Sequence, residues 1–86
     1  MTVTEYRLEV RITPREGLLD PEGKAVEHAL QALSFEGVQG VSVGRLIRLR
    51  LAADDEGDAR RKGDEMCRKL LANPVTEDYA IALEEA

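Results

Sequence analysis

The stretch Glu5-Tyr6-Arg7-Leu8-Glu9-Val10-Arg11-Ile12 alternates without a break, with apolar side chains at every even position and charged ones at every odd position. A strand projects successive side chains to opposite faces, so this period of two predicts a half-buried strand over 5–12. One face belongs to a core; the other, carrying Glu5, Arg7, Glu9 and Arg11, faces water or another chain. The rest of the sequence has to cover the even-numbered face.

Working outward, residues 13–19 read as a loop, and Asp20 followed by Pro21 reads as an N-cap with proline at the first helical position, where its missing N–H removes nothing the helix needs. Val26, Ala29, Leu30 and Leu33 then recur on one helical face, with Glu22, Lys24, Glu27 and Gln31 pointing away. Gly37 and Gly40 punctuate the chain before a second odd–even pattern: Val41, Val43, Ile47, Leu49 and Leu51, with Arg48 and Arg50 between them. Gly44 and Arg45 interrupt that pattern, leaving open one long bent strand or a hairpin of two short ones. Asp54, Asp55 and Glu56 put negative charge at the positive end of a second helix, whose inward face is expected to be Ala59, Gly63, Met66, Cys67, Leu70 and Leu71. Pro74 disfavours helical geometry at Asn73 and stops it, and Tyr79, Ile81 and Leu83 alternate in a last strand.

The order strand, helix, one or two strands, helix, strand predicts a single α+β domain over 1–86: a two-layer, ferredoxin-like or split βαβ sandwich in which two helices cover one face of an antiparallel sheet. The opposite sheet face is expected to be solvated or paired with another subunit. The core should be thin, because the only aromatic residues are Phe35, Tyr6 and Tyr79. Burial against another chain would add to it, so an oligomer associating through the sheet is expected.

Charge and composition narrow the function classes. A formal net charge of -5 argues against a nucleic-acid partner, whose affinity depends on Lys and Arg releasing counterions from phosphates. The apolar runs are too short for a bilayer, and Met1 leads straight into the alternating pattern rather than an apolar leader, so no membrane partner and no signal peptide are expected. The lone Cys67 forms no internal disulfide and suits a reducing compartment; the expected location is cytoplasmic.

Four stretches imitate sites. Asp54, Glu56, Asp58 and Glu65 fall at calcium-loop positions one, three, five and twelve, but the glycine needed at position six is Ala59, and capping explains the acids better. Gly37-Val38-Gln39-Gly40-Val41-Ser42-Val43-Gly44-Arg45 resembles the phosphate loop of acylphosphatases, yet it follows a helix and leads into a strand, where that loop follows a strand and opens a helix. His28 and Cys67 could in principle pair as base and nucleophile, but each sits in or beside a different apolar stripe, where structural roles are expected. An anion at the start of the first helix would be repelled by Glu16, Asp20 and Glu22. No catalytic residue and no metal ligand are assigned.

Two motifs exceed what folding demands: Pro14-Arg15-Glu16-Gly17-Leu18-Leu19-Asp20-Pro21-Glu22-Gly23 and Cys67-Arg68-Lys69-Leu70-Leu71-Ala72-Asn73-Pro74-Val75-Thr76-Glu77-Asp78-Tyr79. With Ala29-Leu30, Phe35, Val41 and Gly44-Arg45 between them, they resemble the PurS family, the small subunit of phosphoribosylformylglycinamidine synthase, over nearly the whole chain. Arg15, Leu18, Glu22 and Arg45 stand where that family commonly has Lys, Val, Gln and Lys. The resemblance implies a non-catalytic subunit that, as a homodimer or homotetramer, bridges a glutaminase subunit and a large synthetase subunit and assists ammonia transfer between them. It implies no cofactor in this chain, ATP and magnesium being used by the large subunit. Arg15, Gly17, Asp20, Gly23, Arg45, Asn73, Glu77 and Tyr79 are the candidate partner-interface residues. Asn73 and Pro74 are expected to end a helix, Glu77 and Tyr79 to be left for a partner, and Gly17 and Gly23 to allow close backbone approach. A stand-alone ligand-binding regulatory domain of the same fold is the alternative from another class, with acylphosphatase behind it.

Overall fold

A computed structural model describes residues 3–86; the reading of Met1 lies outside them. The alternating segment forms the centre of the molecule, β1 (Thr4–Pro14), flanked by β2 (Arg45–Ala53) and β3 (Glu77–Glu85) in the order β2-β1-β3. Both pairings are antiparallel, with Leu8 opposite Leu49 on one side and Leu83 on the other. Tyr6, Leu8, Val10 and Ile12 are buried, while Arg7 and Arg11 lie exposed on the opposite face, as the period of two requires.

The helices divide unequally. α1 (Pro21–Ala32) starts at Asp20 as expected, and α2 (Glu56–Met66) starts at Asp55, whose carboxylate accepts from the Asp58 N–H at 2.7 Å. Only α2 packs on the sheet, touching all three strands. α1 has at most marginal contact with any strand, so the expected cover of two helices on one face is, within this chain, a cover of one. The reason is topological. A connection between adjacent antiparallel strands need not cross the sheet, so residues 15–44 leave the end of β1 and return to the start of β2 as a projecting arm. A strand of 11 residues spans about 36 Å, and a helix of 12 residues spans about 18 Å. Laid end to end they account for a longest dimension of 58 Å against 25 and 14 Å across.

Two further details correct the reading. The pattern from Val41 to Leu51 is neither a hairpin nor one long paired strand: β2 begins at Arg45, and residues 41–44 run unpaired beside α1. Gly44 marks the change because a Cβ there would collide with the Ile12 carbonyl oxygen. Beyond Met66 the helix widens into a π-turn, Cys67–Leu71, in which the Ala72 N–H donates to the Cys67 carbonyl at 3.0 Å. The buried positions consequently run Ala59, Gly63, Cys67, Ala72, spaced four, four and five, and Leu70, expected inside, is 82% exposed. All four are small, so the helix axis comes close to the sheet; a Cβ on Gly63 would lie 2.6 Å from a methyl of Leu8.

Candidate partner interface

The antiparallel register brings the end of β1 and the starts of β2 and β3 to one edge of the sheet, with Ile12 opposite Arg45 and Pro14 opposite Glu77. The loop that follows the π-turn, residues 72–76, reaches the same place. Four candidate residues therefore converge there. The Arg45 guanidinium donates to both Glu77 carboxylate oxygens, at 2.8 and 3.0 Å, and to the Leu71 carbonyl at 3.3 Å. The Asn73 N–H donates to Glu77 Oε1 at 2.7 Å, and the Asn73 side-chain oxygen accepts from the Val75 N–H at 3.0 Å, an Asx-type turn that ends the helix as Asn73-Pro74 implied. Arg15 donates to the Pro74 carbonyl at 2.6 Å, and its Nε lies 3.4 Å from Asp78. The Arg15 N–H donates to the Thr76 carbonyl at 2.9 Å.

This junction is a buckle between the helical layer and the base of the arm. The backbone N–H of Asn73, with Arg45 as a second influence, holds the Glu77 carboxyl below the usual carboxylate range. Glu77 is thus bonded within the chain to Asn73 and Arg45. Tyr79 is bonded within the chain too: its hydroxyl donates to Asp64 of α2, a contact that raises the phenol above its ordinary value, with burial as a lesser cause. The cations differ, since the side chains of Arg15 and Arg45 remain 49% and 55% exposed.

The second group lies at the root of α1. One Asp20 oxygen accepts from the Gly23 N–H at 3.0 Å, closing the cap, and the other accepts from the Val43 N–H at 3.1 Å, fastening the returning leg of the arm. These two bonds lower the Asp20 pKa. Gly23 is buried, and a Cβ on it would strike both the Asp20 carboxylate and the Val41 carbonyl oxygen, so this glycine permits a close approach within the chain. Gly17 does something else: nothing lies within 4 Å of where its Cβ would be, and its φ of +86° is what the turn requires.

The imitated sites separate. His28 is exposed on the arm while Cys67 is fully buried under the sheet, its thiol pushed up by burial and by Asp64. The acids of the calcium-like spacing are spent on helix starts and ion pairs: Asp58 accepts from the Asp54 N–H at 3.1 Å and lies 2.6 Å from Arg61. Gly37 to Gly44 opens no helix. Among the described residues no group of three or more His, Cys, Asp or Glu side chains is placed to hold a metal ion, and no helix is long and apolar enough to cross a membrane.

The charged face of the sheet carries ion pairs that the sequence alone does not assign. Arg7 pairs with Glu84 at 2.8 Å, Arg48 with Glu9 at 3.1 Å, and Arg50 with Glu5 at 3.6 Å, each across neighbouring strands. The signal was present as opposite charges, but the strand order needed to pair them was not.

Comparison with known proteins agrees with this architecture. Residues 7–85 match the PurS family, described as phosphoribosylformylglycinamidine (FGAM) synthase. The chain is 41% identical over 80 residues to the phosphoribosylformylglycinamidine synthase subunit PurS of Bacillus subtilis, covering 93% of this chain and 94% of that one. It is 43% identical over 77 residues to the corresponding subunit of Archaeoglobus fulgidus, covering 90% and 96%. In three dimensions it is similar to Methanocaldococcus jannaschii PurS, one of the subunits of formylglycinamide ribonucleotide amidotransferase in the purine biosynthetic pathway, with a TM-score of 0.82 at 37% identity over 94% of this chain and 98% of that one. It is also similar to a chain of PurLQS from Thermotoga maritima, with a TM-score of 0.83 at 26% identity over 95% and 98%. With a family match across both motifs and into all three strands, the chain belongs to the PurS family.

Proposed function

We propose that this chain is the small subunit of phosphoribosylformylglycinamidine synthase and acts in purine biosynthesis as a non-catalytic bridge between a glutaminase subunit and a large synthetase subunit. The observation that carries this reading is the family match over residues 7–85, which includes both motifs and reaches all three strands. The polar groups agree with it: Asp20, Glu77 and Tyr79 are tied into caps, buckles and helix contacts, and none is arranged as a nucleophile with its base. A bridge that fixes two active sites together raises the local supply of ammonia, which would otherwise escape or be protonated. ATP and magnesium belong, on this reading, to the large subunit, and the complex works in the cytoplasm.

Arg15 and Arg45 are the junction side chains we assign to partner contact. Both stay half exposed after making their internal bonds, and a guanidinium has donors to spare for a carboxylate or carbonyl on a neighbouring subunit. Co-sedimentation of the purified glutaminase and synthetase subunits tests the reading. Adding this chain should bring all three into one species, and Arg45→Ala should weaken it. If the two larger subunits sediment together equally well without this chain, the bridging role is wrong.

A further inference from the structure

Resting on the bridging role, we infer that the turn after α2 presents Leu70 and Val75 as an apolar anchor for one of the two larger subunits, seated in an apolar cleft rimmed by carboxylates. Leu70 is 82% exposed and Val75 is 74% exposed. The π-turn is what puts Leu70 outside. In an uninterrupted α-helix the residue three beyond the buried Cys67 lies on the same face. Here Cys67–Leu71 instead delivers Ala72 to the core, 6% exposed, and leaves Leu70 in water. Burying a leucine removes more apolar surface from water than burying an alanine, so folding alone favours the ordinary register. Single π-turns are frequent at functional sites.

The turn is fastened from both ends, which lowers the entropy cost of docking it. Arg45 donates to the Leu71 carbonyl and Arg15 to the Pro74 carbonyl, one on each side of Asn73. The Asn73 side chain holds the Val75 N–H, and the Asn73 carbonyl accepts from the N–H groups of Thr76 at 3.2 Å and Glu77 at 2.8 Å. Leu70 and Val75 thus stand on a fixed frame.

Charge sets the chemistry of the cleft. In a chain of formal net charge -5, Arg15, Arg45, Arg68 and Lys69 stand around this turn, their side chains 49%, 55%, 61% and 73% exposed. Each makes an ion pair inside the chain, and a guanidinium or ammonium keeps N–H donors beyond one such pair. Acceptors are scarcer: both Glu77 oxygens are already bonded, to Arg45 and to the Asn73 N–H. Donors are what this surface has left to offer around its two apolar side chains, and carboxylates on a partner accept them.

Among its described residues, a second copy of this chain presents no such cleft. The hollow over the charged sheet face is lined by Arg7, Arg48 and Arg50, and the one beside α2 by Arg60 and Arg61, so cations would face cations. In the hollow on the arm, the carboxylates of Asp20 and Glu27 already accept backbone N–H bonds. The occupant is therefore a surface of a different subunit.

The test titrates the full chain into the two purified larger subunits and follows the three-component species by sedimentation velocity. Leu70→Lys/Val75→Lys should raise the chain concentration needed for half-assembly by about tenfold or more, the effect of losing a well-packed anchor. An added lysine only strengthens attraction to carboxylates, so the loss reports the apolar contact. Val3→Lys, 56% exposed at the far end of β1, should leave that concentration within about twofold. Without the larger subunits, the double variant should sediment with the same mass as the wild type. A changed mass, or a titration that the double variant leaves where it was, overturns the inference while wild-type assembly upholds the bridging role. A wild-type chain that assembles nothing removes both. Labelling of Leu70→Cys with N-ethylmaleimide gives a second readout that does not need the double variant to fold, with Cys67 silent because it is fully buried. The new thiol should react readily in the chain alone and about tenfold more slowly in the assembly, where access is lost. Equal rates in both, or slow labelling of the chain alone, would show that no larger subunit covers this turn.

Discussion

At the scale of single residues, carboxylates do most of the fastening. Asp20, Asp58 and Glu77 each accept a backbone N–H, from Val43 across the arm in the first case and from four residues earlier in the other two, and each is held below its ordinary pKa, Asp58 to about 2. A group whose pKa is depressed in the folded state contributes stability above its unfolded pKa and loses it as pH falls through the folded value. The melting temperature should therefore be level near neutrality, begin to fall below about pH 4, and continue falling to pH 2. A midpoint that rises over that interval contradicts the assigned contacts. Gly63 makes a different prediction: Gly63→Val should cost about 1–3 kcal/mol by denaturant unfolding, because the added methyls enter space held by Leu8. Sequence spacing marked Asp20 and Asn73-Pro74 because caps are local. It could not show that Glu77 and Tyr79 are engaged, since their partners Arg45 and Asp64 lie 32 and 15 residues away.

Elements were legible where they obey a strict period and illegible where the period changes. β1 was clear from eight alternating residues, and its length was underestimated by only three. The face of α2 was read correctly as far as Cys67, after which the π-turn shifts the phase by one residue, and the ordinary helical step of three from Cys67 no longer puts Leu70 inside. Leu70→Lys should consequently change stability by less than about 0.5 kcal/mol, where a buried leucine truncated to alanine would lose about 2–5 kcal/mol. Equilibrium unfolding distinguishes the two. Gly23→Ala in α1 reverses an ordinary rule. Alanine normally stabilises a helix over glycine by about 1 kcal/mol, but here its Cβ meets the Asp20 carboxylate and the Val41 carbonyl. Hydrogen exchange at the Val43 amide should quicken in this variant; slower exchange would mean that the strap tolerates the methyl.

For the whole molecule, the sequence established the class and the family but not the division of cover. The apolar stripe of α1 announces that it must be buried, and nothing in a periodicity says in which chain. An α+β domain with one helix on its sheet and one on an arm is a shape suited to holding other chains, and membership of the PurS family gives it an assembly in which to do so. The central claim is that this chain bridges rather than catalyses. Its most direct test is the rate of formylglycinamidine ribonucleotide formation by the large and glutaminase subunits, with glutamine or with free ammonium as the nitrogen source, in the presence and absence of this chain. The account predicts that omitting the chain abolishes most glutamine-driven turnover and leaves the ammonium-driven rate nearly intact. Glutamine-driven turnover that is the same without the chain would contradict it.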